Sequence, residues 1–88
     1  MEHLERKFTL NYTFSQRYLR NFIEKIACVY SHVFFIKEDR KVNAKSIIGL
    51  ISLDLHEGDE ITIYVSGVDK SNLERDMELV IGILGGSV

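Results

Sequence analysis

Proline is absent from this chain, cysteine occurs once, and no apolar run is long. Each shortage narrows what 88 residues can be. The lone Cys28 can make neither an internal disulfide nor a cysteine metal cluster, which suits a cytoplasmic setting. The longest apolar stretches are Val33–Ile36, Ile47–Ile51 broken by Gly49, and Leu79–Leu84 broken by Gly82. All fall short of the ~18–20 residues that span a bilayer, so no membrane association is expected. The opening Met1-Glu2-His3-Leu4-Glu5-Arg6-Lys7 is charged and offers no apolar segment of a signal peptide. His3, His32 and His56 match no zinc-ligand spacing. Gly82-Ile83-Leu84-Gly85-Gly86 reads as a helix ending, because it neither follows a strand nor opens a helix as a phosphate loop must. Tyr12, Tyr18, Tyr30 and Tyr64 assemble no aromatic platform with basic neighbours, and the RNA-binding strand signature is missing. No metal, cofactor or nucleic acid is called for, and no complete catalytic constellation is visible, so an enzyme is not expected.

What is present reads as one globular domain over 1–88. Apolar residues make up 45% and charged residues 27%, a balance that argues against disorder. A chain of this length buries roughly 60–68% of its unfolded surface, enough for one modest core. The net charge of −2 conceals a polarity. Residues 1–45 carry nine Lys/Arg against five Asp/Glu, and residues 46–88 carry two against eight. Such a polarised surface suits a charged partner.

The periodicities follow in order. Lys7 to Tyr12 alternates as a half-buried strand. Leu19, Phe22, Ile23, Ile26, Ala27 and Tyr30 then fall within about 140° of a helical wheel. They predict a helix from Gln16 to Ser31 capped by Ser15. Cys28 lies about 30° outside that arc and is expected to be partly buried. Val33–Ile36 is a β-branched and aromatic strand, and Lys41–Ala44 returns after the polar turn Lys37-Glu38-Asp39-Arg40. Ser46 to Leu53 predicts a short helix that Ser46 caps, with Ile47, Leu50 and Ile51 on one face. Glu60–Ser66 alternates as a strand. Ser71-x-x-Glu74 has the form of a capping box. It opens a last helix whose apolar face is Leu73, Met77, Val80, Ile81 and Leu84, ended by Gly85-Gly86. The order βαββαβα implies an α+β open-faced sandwich, a four-stranded antiparallel sheet with three helices on one face. Pattern alone does not separate the several folds that share this order, ferredoxin-like domains among them.

One segment carries more. Lys41-Val42-Asn43-Ala44-Lys45-Ser46-Ile47-Ile48-Gly49-Leu50-Ile51-Ser52-Leu53, then Gly58-Asp59-Glu60-Ile61-Thr62-Ile63 and Ser66-Gly67, closely resembles HPr, the histidine-containing phosphocarrier family of the bacterial sugar phosphotransferase system. Asn43-Ala44-Lys45-Ser46 is especially similar to catabolite repression HPr, a regulatory branch. The likeness is strong from Val42 to Gly67, thin from Lys7 to Val33 and weak after Ser71. It implies the same open-faced βαββαβα fold.

The family's active-site stretch reads Gly-Leu-His-Ala-Arg-Pro-Ala, and the matching stretch here is Thr13-Phe14-Ser15-Gln16-Arg17-Tyr18-Leu19. The arginine is kept as Arg17. Ser15 stands at the histidine position and Tyr18 at the proline position. An imidazole is a usable nucleophile near neutral pH and its phosphoramidate stays reactive. A serine hydroxyl needs a base, and its phosphate ester is a poor donor. No His, Asp or Glu lies between Thr13 and Arg20 to act as that base. The departure implies a regulatory or adaptor protein rather than a competent phosphocarrier. A phosphotransfer component using another residue, or an unphosphorylated interaction domain, is the alternative. The family's kinase target motif is intact as Lys45-Ser46-Ile47-x-Gly49. The resemblance therefore implies phosphorylation of Ser46 by an HPr kinase-like enzyme. It also implies partner binding through Arg17, Lys45, Ile47, Ile48 and Ile51, in relatives to a LacI-type transcription regulator.

Overall fold

The computed structural model of the protein describes residues 1–85. Its elements run β1 (Glu2–Thr9), α1 (Gln16–Ile26), β2 (His32–Lys37), β3 (Arg40–Asn43), α2 (Ile47–Leu53), β4 (Glu60–Gly67) and α3 (Lys70–Leu84). The strands form one antiparallel sheet in the order β1-β4-β2-β3. This is the open-faced α+β arrangement expected from the periodicities.

Pleating decides what faces the helices. Leu4 pairs with Val65, Phe8 with Ile61, Val33 with Val65 and Phe35 with Ile63, and directly opposed residues share a face. That face meets Leu19, Phe22 and Ile26 of α1, Leu50 and Leu53 of α2, and Leu73, Met77, Val80 and Leu84 of α3, all buried. Phe22 and Phe35 pack ring against ring at 5.7 Å in the centre, and each contributes about 1.5–3 kcal/mol by leaving water.

Several boundaries depart from expectation. The first strand spans Glu2–Thr9 instead of starting at Lys7, because β4 supplies a partner for every residue from Glu2 to Thr9. Its charged start therefore belongs to a strand. Helix α1 stops at Ile26, short of Ser31. Buried Asp76 captures the backbone N–H of Ser31 at 2.9 Å and its hydroxyl at 2.5 Å, and Lys45 Nζ donates to the carbonyl of Val29 at 2.5 Å. Those tertiary bonds outcompete another helical turn. Ala27, Cys28 and Tyr30 consequently stand exposed, Tyr30 at 83%, whereas the helical wheel puts Ala27 and Tyr30 in the apolar arc and Cys28 about 30° outside it, partly buried. Helix α3 is capped by Asp69, whose carboxylate accepts from Ser71 N at 3.0 Å. Ser71 thus lies inside the helix and its capping box does not form. Gly85 ends α3 in right-handed backbone, and Gly86 lies outside the described residues.

Candidate functional site

Two helix starts carry the residues that the sequence singles out. At α1, Ser15 adopts extended backbone and its hydroxyl accepts from Tyr18 N at 3.3 Å, which satisfies one of the free N–H groups of the first turn. Among the described residues no acid or imidazole bonds to that hydroxyl. Arg17 is exposed. With Gln16, Arg20 and Asn21 it lines a shallow hollow of about 470 Å³, and neither guanidinium joins an ion pair among the described residues.

Tyr18 stacks on Tyr12 at 5.5 Å and leans on Phe14 at 4.8 Å. Phe14 continues to Phe22 at 5.2 Å, so an aromatic column runs from this surface into the core. Burial holds the Tyr18 phenol above its ordinary 10.0, and Tyr12 adds to the effect.

At α2, Asn43 organises the approach. Its side-chain oxygen accepts from Lys45 N at 2.8 Å and its carbonyl from Ser46 N at 3.0 Å. Ser46 then caps the helix, accepting from Gly49 N at 3.1 Å. The close fit beneath explains the glycine, since a Cβ at Gly49 would stand 3.1 Å from Val42 Cβ. The other end of α2 is held by cations. Arg40 donates to Ser52 O at 2.7 Å, and Lys37 donates to Leu53 O at 3.2 Å and Asp54 O at 2.8 Å. Cations at a helix C-terminus complement its dipole. Lys37 also pairs with Asp59 at 3.0 Å.

With Leu50 and Leu53 turned inward, Ile47 is 47% exposed, Ile48 77% and Ile51 61%. Ile47 and Ile51 do not share the buried face with Leu50, contrary to the wheel. A helix of seven residues has room for one narrow buried stripe, and Leu50 and Leu53 occupy it. Ser46 is half-buried. Lys45 points away, its ammonium on Val29 O.

The approach to α1 is tied to the far end of α2. Phe14 N donates to Leu55 O at 3.0 Å, and Glu57 N donates to Thr13 Oγ1 at 3.0 Å. Thr13 and Phe14, which lead into α1, are thereby held against the segment that follows α2, while Ser46 lies at the opposite end of α2, roughly 10 Å away along the helix at 1.5 Å per residue. Among the described residues no hydrogen bond or ion pair joins Arg17 to Ser46 or Lys45.

Sequence reading misses three features. Asp76 is one acid among several in α3, and no local pattern marks it as buried. Lys37 reads as part of a polar turn, yet it is the clamp on α2. On the open sheet face, His3 stacks on Tyr64 at 4.9 Å, Phe34 meets Tyr64 edge-on at 6.0 Å, and Lys41 Nζ sits 4.7 Å from the Phe34 ring and 4.1 Å from the Tyr64 ring. Tyr64 thus does have aromatic and basic neighbours, and His3 belongs to a paired strand. The pleat parity of each strand is legible in the sequence, but not which strands lie side by side.

Among the described residues no group of three or more His, Cys, Asp or Glu could hold a metal, and no helix is long and apolar enough to cross a membrane.

Comparison with known proteins agrees with this architecture. The family profile described as "PTS HPr component phosphorylation site" matches residues 14–81. The chain is similar to the HPr-like protein Crh of Bacillus subtilis (strain 168), at 43% identity over 49 residues. That match covers 56% of this chain and 58% of that relative, little more than half its length. The HPr-like protein Crh of Halalkalibacterium halodurans is 36% identical over 63 residues, covering 72% of this chain and 71% of that protein. Among solved structures, the crystal structure of the Bacillus subtilis catabolite repression protein Crh superposes with a TM-score of 0.72 at 30% identity, covering all of this chain and 98% of that one. The sequence, the sheet order and the matched span lead to one conclusion: the chain belongs to the HPr family.

Proposed function

We propose that this HPr-family protein is a cytoplasmic regulatory or adaptor component of the bacterial sugar phosphotransferase system, switched by phosphorylation at Ser46, and not a phosphocarrier. The observation that carries the reading is the contrast between the two serines. Ser15 caps α1, and among the described residues no base bonds to its hydroxyl. Ser46 caps α2 beside three exposed isoleucines.

Relay and switch need different chemistry. A relay residue must take a phosphoryl group from one protein and pass it on, which suits an imidazole nitrogen and not an alkoxide ester. A switch needs the phosphate to stay. In the proposed reaction, Ser46 Oγ attacks the γ-phosphorus of ATP and forms the new O–P bond. The bond to the bridging oxygen breaks, ADP leaves, and the hydroxyl proton passes to a base on an HPr kinase-like enzyme. The product adds a charge of about −1.5 to −2 where the helix dipole favours an anion by about 0.3–1 kcal/mol. The fold therefore survives while the surface changes sign locally. Ile47, Ile48 and Ile51 supply an apolar contact beside that charge, and Arg17 and Lys45 supply cations. Together they fit a protein partner such as a LacI-type transcription regulator. Similarity to proteins named HPr-like Crh supports the regulatory branch.

The test offers two donors. Incubation with ATP and an HPr kinase should give a stable phosphate on Ser46 by mass spectrometry, absent in Ser46→Ala. Incubation with phosphoenolpyruvate and enzyme I should give no acid-labile label. An acid-labile label would establish a relay through another residue, and no label from either donor would leave an unphosphorylated interaction domain. The exposed isoleucines favour that last reading over the relay, because they are available whatever the state of Ser46.

A further inference from the structure

We propose that Lys45 couples the charge state of Ser46 to the turn between α1 and β2. The proposal rests on the Ser46 reading above and says what that modification moves. Residues 27–31 form few bonds of their own: Ala27 N donates to Ile23 O at 3.2 Å, Cys28 N to Lys25 O at 3.2 Å and Val29 N to Ile26 O at 3.0 Å. Two side chains from elsewhere hold the turn. Asp76 takes Ser31, and Lys45 Nζ donates to Val29 O at 2.5 Å in a part-buried contact.

Lys45 directly precedes Ser46, and its present acceptor is a neutral carbonyl. A phosphate on Ser46 would offer the same ammonium three charged oxygens, and a charge-assisted bond is about twice as strong as one to a neutral acceptor. Three cations of β2 and β3 are already engaged. Arg40 and Lys37 hold the opposite end of α2, and Lys41 lies over the Phe34 and Tyr64 rings on the open sheet face. Lys45, adjacent to Ser46 in the chain and with its ammonium bonded to a neutral carbonyl, is placed to swing on its flexible four-carbon stem. Its departure removes that donor from the Val29 carbonyl and leaves the turn anchored from outside by Asp76.

The consequence reaches a second surface. The turn presents Tyr30, and with Ser31 this residue walls a hollow of about 430 Å³ whose lining includes Met1, His32, Gly67 and Val68. Phosphorylation at the start of α2 thereby alters a face that the isoleucines do not occupy.

Amide hydrogen exchange followed by NMR tests the coupling on the full chain, with phosphoserine genetically encoded at position 46 so that no kinase is needed. Exchange at the Cys28 and Val29 amides should accelerate roughly threefold to tenfold, the loss expected for one hydrogen bond. The Ser31 amide, held by Asp76, should stay within about twofold. Unmodified Lys45→Met should show the same acceleration, and phosphoserine should add nothing in that background; Lys45→Gln serves if Lys45→Met does not fold. Unchanged exchange at Cys28 and Val29 in the phosphoserine protein overturns the coupling, as does an undiminished response in the Lys45 variant. A kinase that fails to label Ser46 overturns the functional reading alone, since the encoded phosphoserine still decides the coupling.

Discussion

At the scale of single residues, two serines and one aspartate do work that sequence context shows unequally. Ser15 and Ser46 each satisfy one N–H of a first helical turn, at 3.3 Å and 3.1 Å. Replacing either by alanine should lower stability by about 0.5–2 kcal/mol in urea titrations, whereas asparagine should be nearly neutral because it caps as well. Both caps are legible in the sequence, since a Ser before an apolar helical run has few other uses. Asp76 is not. It is 1% exposed and accepts two bonds from Ser31, a partner 45 residues away. Asp76→Ala strands both donors and should cost about 2–3 kcal/mol, with loss of protection at the Ser31 amide as the local sign.

At the scale of elements, element type is readable and element ends are not. The 3.6-residue and two-residue periods are properties of the chain itself, so all seven elements appear where alternation or helical spacing announces them. Where an element stops depends on a partner elsewhere. Strand β1 runs as far as β4 offers pairing, and α1 ends where Lys45 and Asp76 seize the following turn. Glycines separate the two kinds of constraint. Gly82 lies inside α3 with open space where a Cβ would stand, so Gly82→Ala should stabilise by about 0.5–1 kcal/mol. Gly58 is equally uncrowded but has φ +93°, and Gly58→Ala should destabilise by about 1–2 kcal/mol. Paired thermal melts of the two variants, moving in opposite directions, check both.

At the scale of the whole molecule, one polar junction ties β2, α2 and the turn before β4. Lys37 bonds the last carbonyls of α2 and pairs with Asp59, and Asp59 also accepts from His56 N at 2.8 Å. The His56 amide bond is the larger cause, and Lys37 the next, holding the Asp59 carboxyl below its ordinary 3.8. A depressed folded value means that the stabilisation is complete above 3.8 and disappears as pH falls through the lower folded value. Asp59→Asn should therefore lose stability at neutral pH and show a shallower acid limb than the parent, read by denaturant titrations at successive acid pH values. A parallel acid limb in the variant would show that the junction contributes nothing.

The chain by itself determined the fold class, the order of its elements and both serine caps, because hydropathy period, cap chemistry and motif are written over neighbouring residues. The Lys45-Ser46-Ile47 segment and the serine at position 15 are equally plain in the order of residues. Tertiary structure alone decided that Ile47, Ile48 and Ile51 face water while Leu50 and Leu53 face the core. It also decided that Lys45 holds the carbonyl of Val29, and that Tyr64 gathers His3, Phe34 and Lys41 from three other strands. Those facts depend on which elements lie side by side, and sheet order is set by burying one continuous core rather than by any local run of residues.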